Sequence, residues 1–169
     1  MATGAANAAT VGKEKEASKR LQKELLDLMM SSEKGVSAFP EADNLFKWIA
    51  TIEGPKETLY QGLKFKLSLE FTTKYPYVPP AVQFLTTCFH PNIDSDGNIC
   101  LDILKEKWTV LYDIRTVLIS IQSLLNEPNL DSPLDPMAAS MWPKQSLFKE
   151  MMLSKYDANE NKTKSAKKI

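Results

Sequence analysis

The sequence has 169 residues, 43% of them hydrophobic, and its 21 basic residues balance its 21 acidic residues. This length suits one domain with a sizeable core and leaves too little chain for a second full domain. The neutral balance argues against wholesale attraction to nucleic acid or to an anionic membrane. Two cysteines exclude a disulfide framework, and no apolar run is typical of a signal peptide or a membrane span. We therefore expect a protein of the cytoplasm and nucleus.

Both ends of the chain are predicted to be flexible tails. Residues 1–17 are mostly small or polar, with too few large apolar side chains to offset the entropy of ordering. Residues 157–169 are rich in lysine and show no apolar stripe. The folded domain is therefore predicted to span residues 18–156.

The domain opens with a predicted amphipathic helix that begins at about Ser18. Apolar residues at helical spacing form one stripe, which comprises Leu21, Leu25, Leu28 and Met29. The outer side carries a basic cluster, which comprises Lys19, Arg20 and Lys23. A basic helix face is either a solvated surface or a docking surface for an acidic partner, and the spacing alone leaves both interpretations open.

Four consecutive strands are predicted after Gly35. In the clearest of them, from Leu63 to Phe71, large apolar residues alternate with polar ones. Shorter apolar runs at 36–39, 45–52 and 81–84 complete the set. Strands in series with no helix between them predict an antiparallel meander and an α+β fold, with helices before and after the sheet.

The second half of the chain supplies the later helices. Residues 114–125 carry apolar side chains at helical spacing behind Asp113, whose carboxylate is predicted to cap the helix. Asp135 followed by Pro136 predicts the start of a short helix. Ser146 is the predicted cap of a last helix, whose methionine and phenylalanine side chains belong to the core.

Residues 85–113 show little periodicity of either kind. A compact domain rarely keeps so long an irregular segment unless the segment has a function. It contains the only histidine of the chain, His90, and both cysteines, Cys88 and Cys100. We therefore expect the chemistry of the protein in the run from Phe89 to Leu101.

Two kinds of chemistry use these residue types, and neither is well supported by the sequence. A zinc ion would use Cys88, His90 and Cys100, yet these are not spaced like paired zinc knuckles, and the fourth ligand would have to be Asp94 or Asp96. A cysteine hydrolase would use His90 to deprotonate the thiol, but it also needs a third group to orient that base. No metal is therefore expected.

A thioester carrier fits the loop better. Such a carrier needs a nucleophilic thiol, a donor for the oxyanion, and no strong base that would admit water to the thioester. Cys100 supplies the thiol, and the side-chain amide of Asn92 can donate a hydrogen bond to a developing oxyanion. The shortage of strong bases near Cys100 would leave the thioester to an incoming amine.

Four features of the sequence form one specific pattern. The run His90-Pro91-Asn92, followed eight residues after the asparagine by Cys100, is similar to the active-site signature of ubiquitin-conjugating enzymes. Three further matches are the proline-rich run Tyr75-Pro76-Tyr77-Val78-Pro79-Pro80, Trp108, and Asn126-Glu127-Pro128-Asn129. The resemblance covers about residues 18–156 and implies the α+β ubiquitin-conjugating fold.

Four further runs narrow the resemblance within the family. They are Met29-Met30-Ser31, Val36-Ser37-Ala38-Phe39-Pro40-Glu41, Asp43-Asn44-Leu45-Phe46-Lys47-Trp48 and Cys100-Leu101-Asp102-Ile103-Leu104-Lys105-Glu106-Lys107-Trp108. These runs resemble the mitotic, cyclin-selective type that works with the anaphase-promoting complex. The resemblance implies a role in cell-cycle protein degradation, with cyclins among the substrates.

The resemblance also implies a reaction sequence. An activating enzyme passes the C-terminal glycine of ubiquitin to Cys100, and a ligase then positions a substrate lysine to attack the thioester. Asn92 would stabilise the tetrahedral intermediate or hold the loop that does so, and both roles stay open. His90, with Pro91, is expected to brace that loop through hydrogen bonds, and a role for His90 as general base is the weaker alternative.

The position that would orient the substrate lysine departs from the family pattern. Many relatives place an acidic residue after the central helix to orient and deprotonate the incoming lysine. The matching position here is Ser132, preceded by Asp131. Either the hydroxyl or the carboxylate would favour a neutral amine, so the role is not assigned to one of them.

Two surfaces are expected to meet protein partners. In the family, RING-type ligase domains contact two loops, on which this chain carries Pro76, Tyr77, Thr109, Val110 and Leu111. A tyrosine in a proline-rich loop is also explained by simple packing. The basic cluster of Lys19, Arg20 and Lys23 would meet an acidic surface of the activating enzyme and speed the encounter.

Two rival functions come from other classes. A non-catalytic, ubiquitin-binding adaptor would keep the fold and lack the nucleophile, and the presence of Cys100 argues against it. A conjugating enzyme for a ubiquitin-like modifier stays open. The protein is expected to act as a monomer without a cofactor of its own, since ATP is consumed upstream by the activating enzyme. Cys88 is expected to be an inert thiol.

Overall fold

The computed structural model describes residues 3–168 and contains four strands and four α-helices within them. The α-helices are α1 (Thr3–Met30), α2 (Ile114–Asn126), α3 (Pro136–Met141) and α4 (Gln145–Lys167). The strands are β1 (Val36–Glu41), β2 (Asn44–Glu53), β3 (Lys64–Glu70) and β4 (Ala81–Phe84), and a short 3₁₀ helix covers Asp102–Leu104. The order of elements confirms the predicted α+β fold.

The four strands form one antiparallel sheet in the order β1-β2-β3-β4, which confirms the predicted meander. One face of the sheet is buried, because the cross-strand pairs Trp48–Leu69, Ala50–Leu67 and Ile52–Phe65 all point inward. Helices α1 and α2 both contact β1 and β2. A fully buried large apolar side chain contributes roughly 1.5–3 kcal/mol, so these pairs are a major part of the stability of the domain.

The ends of the later helices follow local sequence signals. The carboxylate of Asp113 accepts a hydrogen bond from the Thr116 N–H at 2.7 Å and caps α2, as predicted. Asp135 caps α3 in the same way through the Ala138 N–H, with Pro136 in the first turn. The predicted cap at Ser146 is wrong, because α4 begins at Gln145 and its N-cap position is Lys144.

Helices α1 and α4 are longer than the sequence predicted. α1 begins at Thr3 instead of about Ser18, and α4 continues through the predicted tail to Lys167. Alanine, lysine and glutamate are strong helix formers, and they extend these helices beyond the part that packs. Residues 7–16 are all exposed, and burial begins at Ala17. The division into tails and catalytic domain stays a prediction, and Met1, Ala2 and Ile169 lie outside the described residues.

The apolar stripe of α1 also needs one correction. Leu21 is fully buried and Leu25 and Leu28 pack against the core, but Met29 is 64% exposed. Met29 lies in the last turn of α1, one residue before the helix ends. None of the helices within residues 3–168 combines the length and the hydropathy that crossing a membrane requires.

Candidate active site

Residues 89–101, called here the active-site loop, follow β4 and are fastened to it. The N–H of Phe84 donates to the carbonyl oxygen of Gly97 at 2.9 Å. Gly97 has a φ of +87°, and a Cβ at this position would lie 2.1 Å from the Phe84 carbonyl oxygen. Only glycine accepts both the backbone angle and the close approach, so Gly97 sets the path of the chain towards Cys100.

His90 is fully buried, and both nitrogens of its ring are hydrogen-bonded. Nδ1 accepts from the Asn92 N–H at 2.9 Å, and Nε2 lies 2.7 Å from the carbonyl oxygen of Leu124 in α2. A nitrogen that accepts from a backbone N–H carries no proton, so Nε2 is the protonated one and the ring is neutral. Burial lowers the pKa of His90 to about 4.

Asn92 is also fully buried, and its side chain forms a reciprocal pair with the backbone of Asn129. Asn92 Nδ2 donates to the Asn129 carbonyl oxygen, and Asn92 Oδ1 accepts from the Asn129 N–H, each at 2.8 Å. A primary amide has two N–H donors, so this pair leaves one donor of Asn92 for another acceptor. The Asn92 side chain therefore joins the active-site loop to the segment that follows α2.

Cys100 is held at its backbone and partly exposed at its side chain. Its N–H donates to the Asn92 carbonyl oxygen at 2.9 Å. Cys88, in contrast, is buried, and burial raises the pKa of its thiol well above the usual range. Of the two thiols, Cys100 is the one that a macromolecular substrate can reach.

Two further contacts brace the loop and were not predicted from the sequence. The hydroxyl of Tyr60 donates to the Phe89 carbonyl oxygen at 2.6 Å inside the core. The Pro91 carbonyl oxygen accepts from the N–H groups of Leu134 and Asp135 at 2.9 and 3.1 Å. Tyr60 carried no local signal for this role, because its partner lies 29 positions away in the sequence.

The hydrogen bonds of His90 also bear on the alternative chemistries. A general base needs a free lone pair, but the Nδ1 lone pair already accepts from the backbone. A zinc ligand needs the same lone pair. Among residues 3–168, no three side chains of histidine, cysteine, aspartate or glutamate converge as a metal site would require. The geometry thus supports neither the hydrolase nor the zinc interpretation.

The chain matches one protein family over most of its length. The family model described as "Ubiquitin-conjugating enzyme" matches residues 20–156, which is most of the chain. The chain belongs to the ubiquitin-conjugating enzyme family. It is 51% identical over 140 residues to "Ubiquitin-conjugating enzyme E2-20 kDa" of Schizosaccharomyces pombe, covering 82% of this chain and 80% of that protein. It is 48% identical over 124 residues to "Ubiquitin-conjugating enzyme E2 1" of Caenorhabditis elegans, covering 73% of this chain and 65% of that protein.

Family membership makes this protein a ubiquitin transferase, whose partners are ubiquitin, an activating enzyme and ligases. In this conjugating enzyme Asp131 and Ser132, which are predicted to orient the incoming substrate lysine, are both exposed. The Asp131 N–H donates to Oδ1 of Asn129 at 2.9 Å. The segment that carries them is therefore the one that Asn92 holds against the active-site loop.

The two predicted ligase loops lie side by side in the conjugating enzyme. Trp108 Nε1 donates to the Pro76 carbonyl oxygen at 2.8 Å and so links one loop to the other. Tyr77 is 66% exposed and Leu111 is 85% exposed. Thr109 and Val110 are also exposed, whereas Pro76 is buried. The apolar groups available to a partner are thus those of Tyr77, Val110 and Leu111.

The basic cluster of α1 divides into two kinds of residue. Lys19 and Lys23 are exposed, as predicted for an outer helix face. The guanidinium of Arg20 instead turns inward and bonds to the Glu24 carboxylate and to the carbonyl oxygens of Val110 and Tyr112. The prediction that Arg20 lies on the outer side is therefore corrected, and Lys19 and Lys23 alone point outward.

Sequence reasoning also missed Glu24, which is 4% exposed. One signal was present, because Glu24 lies four residues after Arg20 and beside the apolar stripe of α1. An acidic residue at such a position, with a basic partner one turn away, indicates a buried and paired carboxylate.

Proposed function

We propose that this conjugating enzyme carries ubiquitin as a thioester on Cys100 and transfers it to substrate lysines with a RING-type ligase. In the first step, the Cys100 sulfur attacks the carbonyl carbon that joins ubiquitin to the activating enzyme, and the thiol of the activating enzyme leaves. In the second step, a lysine amine attacks the same carbonyl carbon. An isopeptide bond forms, and Cys100 leaves as the thiol.

One observation carries the proposal. Cys100 is partly exposed in a loop whose only histidine has both ring nitrogens already hydrogen-bonded. A carrier must expose its thiol to large partners and must not activate water against its own thioester. A neutral His90 that serves as a brace meets the second requirement, because it offers no lone pair to a water molecule.

A charging assay tests this assignment. Activating enzyme, ubiquitin and ATP are mixed with the wild type, Cys100→Ser or Cys88→Ser, and the products are run on gels with and without reductant. We expect a reductant-sensitive adduct with the wild type and with Cys88→Ser, and a resistant ester or no adduct with Cys100→Ser. If no variant is charged with ubiquitin while a ubiquitin-like modifier is accepted, the modifier has been misassigned.

The contacts of Asn92 favour the role of holding the loop over that of an oxyanion donor. Its side-chain oxygen and one of its N–H groups bond to Asn129. If holding is its function, Asn92→Ala lowers the melting temperature and slows both charging and discharge. The bonds to Asn129 are lost in either case, so if its second N–H also stabilises the oxyanion, the two steps slow far more than the fall in melting temperature explains.

We assign orientation of the acceptor lysine to the segment that carries Asp131 and Ser132. Both residues are exposed on the segment held by Asn92, and both offer an acceptor for an amine N–H. Discharge of the thioester to free lysine, measured against pH in Asp131→Asn and Ser132→Ala, separates them. The responsible variant should need a higher pH for the same rate, because its lysine is no longer helped to lose a proton.

For partners, we propose Lys19 and Lys23 as the surface for the activating enzyme and Tyr77, Thr109, Val110 and Leu111 as the surface for the ligase. The resemblance to the mitotic, cyclin-selective type supports the anaphase-promoting complex as the ligase and cyclins as substrates. It also supports a monomer that works in the cytoplasm and nucleus, with ATP consumed only by the activating enzyme. Ubiquitination of a cyclin by the purified complex, compared with a conjugating enzyme of another type, tests this assignment.

A further inference from the structure

Glu24 is a buried carboxylate that the proposed reaction at Cys100 does not use. Its two oxygens accept from the Tyr75 hydroxyl at 2.8 and 2.9 Å, from the Ile114 N–H at 2.6 Å and from Arg20 Nε at 2.9 Å. Burial raises the pKa of Glu24, and these hydrogen bonds oppose the rise. Three donors from different parts of the chain thus compensate a carboxylate that would otherwise be costly to bury.

These donors lie beside the two predicted ligase loops. Tyr75 directly precedes Pro76 and Tyr77, and Ile114 begins α2 just after the loop that carries Leu111. The third donor extends the connection into that loop, because Arg20 Nη2 donates to the carbonyl oxygens of Val110 and Tyr112 at 3.1 and 2.8 Å. Glu24 therefore lies where α1 and both loops meet.

The guanidinium of Arg20 is held in one orientation from two sides. The Glu24 carboxylate fixes Nε, and the ring of Tyr75 lies below the guanidinium, with Cζ 5.9 Å from the ring centroid. This leaves Nη2 directed at the carbonyl oxygens of the second loop. Leu111 is 85% exposed, so backbone hydrogen bonds, and not packing of its own side chain, must set its position.

We propose that Glu24 is a positioning residue for ligase-dependent transfer. By fixing Arg20, it holds the Val110–Leu111 backbone next to Tyr77, and a ligase domain meets both loops as one preformed surface. A preformed surface binds more tightly because less ordering remains to be done on binding. The inference rests on the proposed ligase surface and adds a residue that acts on this surface from within.

Glu24→Gln is the variant that separates Arg20 from the network. A glutamine oxygen can still accept from Ile114 and Tyr75, but its amide NH₂ would face Arg20 Nε–H, and two donors cannot bond to each other. The matched control is Glu14→Gln, which makes the same substitution at an exposed position of the same helix. Both variants lose one negative charge, so a difference between them does not arise from net charge.

The measurement is discharge of the preformed Cys100 thioester to free lysine, with increasing amounts of a RING-type ligase domain that speeds discharge from the wild type. In Glu24→Gln we expect the ligase-free rate to stay at the wild-type value and the half-saturating ligase concentration to rise about tenfold, the effect of one charge-assisted hydrogen bond. Glu14→Gln should match the wild type in both quantities. If Glu24→Gln slows discharge by the same factor with and without ligase, its role is merely structural. If neither the ligase-free rate nor the half-saturating ligase concentration changes, the proposal is also overturned.

Further variants complete the test. Tyr75→Phe removes one donor and leaves Glu24 bonded to Arg20, so it should raise the half-saturating concentration less than Glu24→Gln does. If Glu24→Gln does not fold, Arg20→Gln is the test variant, because it removes the same link to the carbonyl oxygens of Val110 and Tyr112. Leu111→Ala leaves the network intact and tests the surface itself. Loss of stimulation in Leu111→Ala but not in the Glu24 and Tyr75 variants would overturn the positioning role alone, whereas full stimulation of Leu111→Ala would overturn the ligase surface.

Discussion

The buried, neutral His90 makes the stability of this enzyme depend on pH in a window that its geometry defines. In the unfolded chain the imidazole takes up a proton near its usual pKa of 6.5, whereas in the folded protein burial lowers that pKa to about 4. Between these two values the unfolded chain binds more protons than the folded protein. The free energy of unfolding therefore decreases as the pH falls from 6.5 to 4, and the contribution of His90 does not change further below 4.

The size of the effect follows from the two pKa values. One pKa unit corresponds to about 1.4 kcal/mol, so the full contribution over this window is about 3 kcal/mol. At pH 5 roughly 2 kcal/mol of it has been lost. Glu24 acts in the opposite direction, because its raised pKa removes stability as the pH rises. Desolvation is outweighed by hydrogen bonds from Asn98, Asp96 and Gly97, which together lower the pKa of Asp94, whose ordinary value of 3.8 already lies below pH 5.

Two measurements check this reasoning. Urea unfolding at pH 7 and pH 5, at constant ionic strength, should show that the wild type loses about 2 kcal/mol more than His90→Gln, which cannot titrate and keeps the contribution of Glu24. Because the chain has a single histidine, its ring resonances in an NMR titration are unambiguous. They should report an Nε2–H tautomer at neutral pH that protonates well below 6.5. A ring that titrates near 6.5, or equal losses in the two proteins, would refute the argument.

Three further predictions follow from the local geometry. Gly97→Ala should cost more than about 2 kcal/mol of unfolding free energy and slow charging, since its Cβ would overlap a backbone oxygen of β4. Gly62→Ala is the control, because Gly62 has a similar φ of +84° and nothing lies within 4 Å of its added Cβ. It should lower the unfolding free energy by only about 1 kcal/mol, and equal losses in the two variants would contradict the close approach at Gly97. A thiol reagent should modify only Cys100 in the native protein, and both Cys100 and Cys88 in denaturant. Rapid labelling of both thiols in the native protein would contradict the burial of Cys88. Asp113→Ala should lower the unfolding free energy by about 1 kcal/mol through the lost helix cap, with charging unchanged, and no change in stability would mean that this cap contributes nothing.

Much of the fold was predictable because its signals are local. The alternation of apolar and polar residues predicted β3, and the apolar run at 81–84 coincides with β4. The caps at Asp113 and Asp135 were readable because a cap and its partner lie within one turn of each other. The active-site loop was identified by the opposite signal, a long segment without periodicity that held the only histidine and both cysteines.

The lengths of α1 and α4 were less predictable. Their outer parts bury little apolar surface and carry no apolar stripe, so the sequence predicted helix ends that lie too close to the core. Met29 shows the reverse error, because a residue at the correct spacing remains exposed where the helix ends. Periodicity indicates which face of a helix can be buried, and not how far the neighbouring elements extend to bury it.

The amino-acid sequence was enough to predict the order of strands and helices, two helix caps and the family motifs around Cys100. Only the folded protein shows that Arg20 turns inward, that Glu24 joins α1 to both ligase loops, and that Asn92 pairs with Asn129. Caps and periodic faces depend on residues a few positions apart, so they can be read from a short window. The contacts of Arg20 and Glu24 with Tyr75, Val110, Tyr112 and Ile114 instead join groups 51 to 92 positions apart. They exist only once the sheet and α2 have brought those groups together.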